Sequence, residues 1–506
     1  MSDENDGFPP YEAARGTLYL IAKSLVANFS GSIFFIFVAR FLPTVADLGL
    51  VTGVSAVIAA ASILASLGLP SATTRFMSRY IGAGKKDEAT GIPRLTLITG
   101  SISSAAVSVG LYFTSSYIAS IFFHETEYSE LIRLASIDTF LLSMMTFATS
   151  ILLANQEFKK ITIISIINSV VKYAAASALL ILDRGFDGII IGWIIGDVLS
   201  LALYAYILVP NIRKGKIIEI KPFFKYSLPL YGSAILDFLS LNLDRYLLLF
   251  LSNLHEVGIY SPAVLIGTVL LVFLHSLDQA LLPYFSRIYG KSGSDSLQDL
   301  SRFVSRYLFL IFQPLGFSTL VFAQPLIEVI LGGKYHESIY PSAIIILAIT
   351  LTAVGTIFNN ILMSAGHTRI FLNSNIVAAS VQTALAFATI PFIGGIGAAL
   401  ARSSAFVILL FIPAFALKKT SGLKYDNNAL QKGLIGSIVM SAIMFTINFF
   451  SNRYYLPLSL LLGILSYLLF LRFTHTVNIK DIEVINNILS GRLKWLVKIL
   501  IRIVIP

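Results

Sequence analysis

The chain has 506 residues, of which 56% are hydrophobic and only 13% charged, about half the charged share of roughly 25% usual in soluble domains. The net charge is +10, yet the basic residues sit in short loops between apolar runs and not along one folded face, which excludes a nucleic-acid surface as the reason for them. There is no cysteine, and the six histidines, at 124, 255, 275, 336, 367 and 475, show no metal-ligand spacing, so disulfides and thiolate chemistry are excluded and no metal, cofactor or catalytic residue is expected.

The first residues, MSDENDGFPPYEAARG, are polar and acidic and lack the basic start and small-residue cleavage site of a secretory leader, so no cleavage is expected. Apolar runs bounded by charge, Gly and Pro then follow at 16–40, 48–70, 95–122, 131–153, 161–182, 187–210, 224–251, 259–284, 305–331, 339–363, 372–392, 395–417, 432–450 and 454–473. At 1.5 Å per residue a run of about 20 residues crosses a hydrocarbon core of about 30 Å. The prediction is an all-α polytopic membrane protein of about 14 transmembrane helices. Alternate loops carry most of the Lys and Arg: Arg75 to Arg94, Lys159 and Lys160, Arg213 to Lys221, Arg287 to Arg306, Arg369, and Lys418 to Lys424. The positive-inside rule then puts both termini on the cytoplasmic side of the cell membrane. The tail, 476–506, mixes Lys480, Arg492, Lys494, Lys498 and Arg502 with Ile, Leu, Val and Trp495 and reads as a basic amphipathic helix on the inner leaflet.

An internal repeat organises the spans. Phe41-Leu42 and Asp47-Leu48-Gly49-Leu50 recur 209 residues later as Phe250-Leu251 and Glu256-Val257-Gly258-Ile259. The same offset relates Leu153 and Lys160 to Leu362 and Arg369, and Gly185 and Gly188 to Gly394 and Gly397, while Ser78-Arg79 and Gly82 match Ser286-Arg287 and Gly290 at 208. Six spans is an even number, so the two halves enter the membrane from the same side, as parallel repeats. The expected domains are an N-terminal lobe at 1–210, a C-terminal lobe at 211–420, an extra helix pair at 421–475 and the tail.

Charged residues within spans are costly, about 2.5–3.5 kcal/mol each at mid-bilayer, and must face protein or water. Lys23, Arg40, Lys172, Arg245 and Arg402 are the cations of this kind, and Asp138, Asp197, Asp237, Asp244 and Asp278 the acids. Asp237, Leu241, Asp244 and Arg245 fall at i, i+4, i+7 and i+8, one stripe of a helix, and His275, Asp278 and Gln279 form a second. Asp244 either neutralises a neighbouring cation or serves a passage, and Arg40 either reaches the outer headgroups or enters that passage. Lys23 and Lys172 have no acid one turn away and read as facing an anionic group across a cavity. The acids are candidates for ion coupling or for charge pairing. Pro229, Pro262 and Pro314 remove helix hydrogen bonds in spans seven to nine and invite bends.

Arg40-Phe41-Leu42-Pro43 with Asp47-Leu48-Gly49, and the stretch FKYSLPLYGSAILDFLSLNLDRYLLLFLSNLHEVGIYSPA from Phe224 to Ala263, followed by LLPYFSRIYG ending at Gly290, resemble the polysaccharide-unit flippases of the multidrug/oligosaccharidyl-lipid/polysaccharide exporter superfamily. Leu42 stands where the common first-helix motif has Gly. The resemblance implies two six-helix lobes around a central cationic cavity, and translocation of polyprenyl-phosphate- or pyrophosphate-linked oligosaccharide to the outer leaflet for surface polysaccharide or glycoprotein assembly. By that resemblance Lys23, Arg40, Lys172, Arg245 and Arg402 bind the lipid phosphate or sugar. The partners it implies are the lipid-linked oligosaccharide, membrane lipids, Na⁺ or H⁺ as a coupling ion, and glycan-assembly enzymes, with no nucleic acid. Two alternatives stand beside it: a Na⁺- or H⁺-coupled small-molecule exporter of the same superfamily, and a membrane-embedded enzyme acting on lipid-linked sugars. The short outer loops argue against the enzyme.

Overall fold

The computed structural model describes residues 10–212, 220–420, 425–450 and 455–476. The amphipathic tail expected at 476–506 lies, beyond its first residue, outside the described residues. Every regular element among those described is helical: α1 (Pro10–Phe41), α2 (Val45–Ser66), α3 (Leu69–Gly82), α4 (Lys86–Phe113), α5 (Ser115–Ile118), α6 (Ser129–Ala154), α7 (Phe158–Ile181), α8 (Gly185–Ile212), α9 (Ile220–Leu251), α10 (Leu254–Leu326), α11 (Ile339–Thr352), α12 (Gly355–Ser364), α13 (Thr368–Thr420), α14 (Asn427–Phe450) and α15 (Leu456–Phe473).

Eleven of these segments are long and apolar enough to cross a membrane, or twelve when Gly333–Thr352 and Gly355–Ser364, bent by 45°, form one broken span. Two features separate that number from the fourteen spans read in the sequence. The apolar run Arg369–Lys419 is broken at Ile393 (φ −132°) and Gly394 (φ 49°), so it contains the spans expected at 372–392 and 395–417. Helix α9 has 32 residues, about 48 Å at helical rise, but Lys221, Lys225, Asp237, Asp244 and Arg245 make it too polar to qualify on composition. Helix α10 holds two apolar spans, Leu254–His275 and Leu300–Leu331 with the turn that follows it.

Local chemistry repeats along the chain as the duplication predicts. Helix α2 starts with a capping box: the Asp47 amide donates to Thr44 Oγ1 at 3.2 Å and the Thr44 amide to Asp47 Oδ2 at 2.7 Å. This arrangement satisfies two helix-start donors. At an offset of 209, α10 starts with the Glu256 amide donating to Asn253 Oδ1 at 3.0 Å. A π-helical turn at Ala119–Phe123, ended by His124 at φ 60°, is followed by a 3-10 turn at Thr126–Tyr128. The same succession recurs 208 residues on, as Ile327–Leu331, Gly332 at φ 110° and Gly333–Ser338. Because π-helix makes up well under 1% of residues, this coincidence is far more specific than any single sequence match. The positive φ of Gly185 and Gly394 keeps the offset of 209 at the later turn. At the α6/α7 turn the register differs by one from the sequence reading: α7 begins at Phe158 and α13 at Thr368, an offset of 210, so Leu152 matches Leu362 where Leu153 was expected.

The chain divides into two compact units, Met1–Gly258 and Ile259–Pro506. This packing boundary lies one helix beyond the boundary near 210 expected from the sequence repeat, because α9 is fastened to α2 and α3. Ser227 Oγ donates to the Leu67 carbonyl at 2.7 Å, Tyr231 to Leu64 at 2.9 Å and Tyr246 to Ala56 at 2.8 Å. A Cβ on Gly68 would lie 2.3 Å from the Ser227 carbonyl oxygen. The start of α10 crosses the start of α2 reciprocally: a Cβ on Gly49 would sit 1.9 Å from the Leu254 oxygen, and one on Gly258 2.0 Å from the Val45 oxygen. Gly49 and Gly258, and Val45 and Leu254, are repeat equivalents, so matching residues of the two copies make the same contact in exchange.

In the second unit α14 and α15 pack on the later part of α10 through Leu310, Met440, Met444, Tyr467 and Leu471. Tyr467 donates to the Leu310 carbonyl at 2.8 Å. Arg306 pairs with Asp426 at 3.0 Å, both side chains 15% exposed, and Asp426 also accepts from the Ala429 amide at 2.8 Å, capping α14.

Candidate functional site

The chemistry of the first unit is concentrated where α6, α7 and α8 meet. Gly188, Gly192 and Gly196 recur every four residues along α8, the small-residue spacing that lets helix backbones approach closely in membranes. A Cβ on Gly192 would lie 2.2 Å from the Ala176 nitrogen, and one on Gly196 2.6 Å from Lys172 Cα. The tight contact brings Asp197, the next residue of α8, against Lys172 of α7. Lys172 Nζ donates to Asp197 Oδ2 at 3.0 Å, and Asn168 Nδ2, one turn earlier on α7, donates to Asp197 Oδ1 at 2.7 Å. Asp138 of α6 stands on the other side, with Oδ2 3.7 Å from Nζ. Both carboxylates are 0% exposed. Two carboxylates about one ammonium carry a formal charge of minus one, or none when they share a proton.

This cluster forms the polar end of a cavity of about 280 Å³ whose lining comes from α1, α2, α6, α7 and α8 and includes Asp138, Lys172, Phe34, Tyr173 and Trp193. Phe34 stacks on Tyr173 with ring centres 4.8 Å apart and meets Trp193 edge-on at 6.4 Å. Lys172 Nζ lies 5.6 Å from the centre of the Trp193 ring, within cation–π range. Thr52 and Ser55 add hydroxyls to the wall contributed by α2.

Of the ten residues singled out in the sequence, the structure brings together Asp138, Lys172 and Asp197. The anions that Lys172 faces are the chain's own, which span-by-span reading does not reveal because the partners lie 34 and 25 residues away on other helices. Lys23 is half-buried in α1, and Arg40 is exposed in the last turn of that helix. On α9, Asp244 is 0% exposed, Arg245 half-buried, and Asp237 and Leu241 exposed, so the polar stripe passes from buried to open along its length. Arg402 is half-buried on α13. Asp278 falls in α10, with its side chain outside the described residues. Asn168 and the aromatic wall were missed; the signal was available in the four-residue spacing of Asn168 and Lys172 and in the glycine stripe. Among the described residues no group of three or more His, Asp or Glu is arranged to hold a metal ion.

A family profile described as "Polysaccharide biosynthesis protein" matches residues 37–340, more than half of the chain. The chain belongs to the polysaccharide biosynthesis protein family. A curated relative, the probable low-salt glycan biosynthesis flippase Agl15 of Haloferax volcanii, is 20% identical over 270 residues, 53% of this chain and 57% of that protein, so the match spans little more than half of the relative's length. The lipid II flippase MurJ in an inward closed conformation superposes with a TM-score of 0.73 at 17% identity, over 91% of this chain and 99% of MurJ. An inward-facing multidrug resistance MATE family transporter of the MOP superfamily gives 0.66 at 17% identity, over 80% and 99%. This member of the polysaccharide biosynthesis protein family therefore shares its fold with both kinds of transporter.

Proposed function

We propose that the protein is a flippase that turns polyprenyl-phosphate- or pyrophosphate-linked oligosaccharide from the inner to the outer leaflet of the cytoplasmic membrane, for surface polysaccharide or glycoprotein assembly. The observation that carries this reading is the family match over residues 37–340. The kinship with a named glycan flippase and the fold shared with a lipid II flippase support it. The physical requirement is a polar route for a headgroup that hydrocarbon would exclude, while the lipid tail stays in the bilayer. Buried charge in membrane spans costs several kcal/mol per group, and Asp138, Lys172, Asp197 and Asp244 represent that outlay here. Lys23, Arg40, Arg245 and Arg402 are the cations proposed to meet the carrier phosphate. The duplicated halves are proposed to alternate access by moving against each other, with both termini cytoplasmic and glycan-assembly enzymes as partners.

The protein is read as a transporter and not as an enzyme, since nothing in turning a lipid over requires a bond to be made or broken. The acids around Lys172 give a place where H⁺ or Na⁺ uptake would couple to movement. A second reading, a small-molecule exporter, draws on the fold shared with the multidrug transporter and on the aromatic wall of the cavity. Depletion of the protein in its native host separates the two: the flippase reading expects lipid-linked oligosaccharide to accumulate on the inner leaflet, and the exporter reading expects leaflet distribution to stay normal while drug sensitivity rises.

A further inference from the structure

The cavity of the first unit has a ligand problem of its own. Asp138 is 0% exposed, and no donor among the described residues stands at hydrogen-bond distance from its carboxylate oxygens, whose charged neighbours are Lys172 and the Asp197 carboxylate. A buried polar group left in this state costs about 1–3 kcal/mol, more when charged, so it is poorly explained as a stabilising device. Lys172, at 3.7 Å, offsets its charge without reaching hydrogen-bond length. The carboxylate lines a cavity whose other walls are mostly aromatic and aliphatic, with the Thr52 and Ser55 hydroxyls on the α2 side.

We infer that this cavity takes a neutral sugar ring of the lipid-linked glycan, and that the carrier phosphate is held elsewhere. The inference rests on the flippase reading and deepens it. Charge is the first ground: with one ammonium between two carboxylates the cluster is neutral or negative, and a phosphate placed there would meet like charge at short range. Hydrogen-bond chemistry is the second. A sugar hydroxyl both donates and accepts, so adjacent hydroxyls can donate to the unsatisfied Asp138 oxygens and accept from Lys172 Nζ, which has three donors and spends one on Asp197. Shape is the third. Tyr173, Phe34 and Trp193 offer apolar ring faces and edges to the C–H face of a pyranose, and about 280 Å³ lies just under the 300–1,000 Å³ typical of drug-sized ligands. That is room for a ring or two and not for a whole repeat unit.

The test uses Trp193 as its own reporter. The chain has two tryptophans, so a Trp495→Phe background leaves Trp193 as the sole emitter in the purified, lipid-embedded protein. The probes are a panel of neutral methyl glycosides (hexoses, 6-deoxyhexoses and N-acetylhexosamines), inorganic pyrophosphate, NaCl against choline chloride, and tetraphenylphosphonium. At least one glycoside is expected to shift Trp193 emission saturably at millimolar concentration, with pyrophosphate silent. Asp138→Asn should weaken that response at least about tenfold, as expected for loss of a charged acceptor. Gly31→Leu, whose added bulk points at the Tyr173 hydroxyl 3.2 Å from the first new carbon, should fill the cavity and abolish the response without lowering the thermal midpoint; it is the second variant, which tests the cavity without touching its charges. Silence of every glycoside, a response indifferent to Gly31→Leu, or saturable binding of pyrophosphate or tetraphenylphosphonium in place of sugar would overturn the inference. A leaflet assay on the same preparation keeps the two readings apart: sugar binding without translocation counts against the flippase, and translocation without sugar binding counts against this cavity.

Discussion

Lys172 shows what a single buried charge does in this chain. It holds two carboxylates that are each 0% exposed, and removing one partner of a buried ion cluster leaves uncompensated charge behind. Lys172→Met is expected to destabilise the protein by about 3–5 kcal/mol, read as a lowered thermal midpoint in nanodiscs. Asp138→Asn removes the surplus negative charge instead and should leave that midpoint unchanged or raise it. A drop of equal size in both variants would contradict the charge accounting. Each member of the cluster was visible in the sequence as an ionisable group inside an apolar span. Their meeting was not, because sequence spacing reports neighbours one turn away on the same helix, whereas Asp138, Lys172 and Asp197 come from three helices. The stripe on α9 carries the same lesson in reverse: Asp237, Asp244 and Arg245 share a helix face by spacing, yet only Asp244 is fully buried.

At the level of elements, glycine decides where helices touch. Gly196 lets Lys172 Cα approach to the point where a Cβ would stand 2.6 Å away, so Gly196→Leu should prise α7 from α8, separate Lys172 from Asp197 and lower the thermal midpoint more than Ile195→Leu, whose side chain is exposed. Gly49→Ala would push a methyl to 1.9 Å from the Leu254 oxygen, and the forced shift of α2 against α10 should cost about 1–3 kcal/mol, the usual scale of overpacking. Its repeat equivalent Gly258→Ala should cost a similar amount, and a large asymmetry in the two melts would contradict the reciprocal crossing. In the second unit, Asp426→Ala removes both the α14 cap and the partner of Arg306, with the cap alone worth about 0.5–2 kcal/mol; faster exchange of the first amides of α14 is the readout. Helix existence was legible from apolar length. The duplicated capping and π-turns confirm in geometry what loop residues hinted at, and the one-residue slip at the α6/α7 turn arose because Leu152 and Leu153 fit Leu362 equally well by residue type.

For the whole molecule, sequence and packing divide the chain at different places. The repeat read in the sequence breaks near residue 210, while the compact unit runs to Gly258 because hydroxyls along α9 find carbonyls on α2 and the turn after it, where Gly68 lets the α9 backbone come close. Hydrophobic pattern marks where helices are, and the docking of α9 depends on Ser227, Tyr231 and Tyr246, which no periodicity singles out. At this scale the proposed activity is the movement of lipid-linked oligosaccharide across the bilayer. Its most direct measurement is a leaflet assay in proteoliposomes, with a fluorescent polyprenyl-pyrophosphate oligosaccharide placed in one leaflet and quenched from outside by a membrane-impermeant reductant. The prediction is protein-dependent turnover that falls when Arg245→Ala is introduced and that a free drug-like cation does not replace as cargo. Identical leaflet distributions with and without the protein, alongside transport of a small cation by the same vesicles, would contradict it.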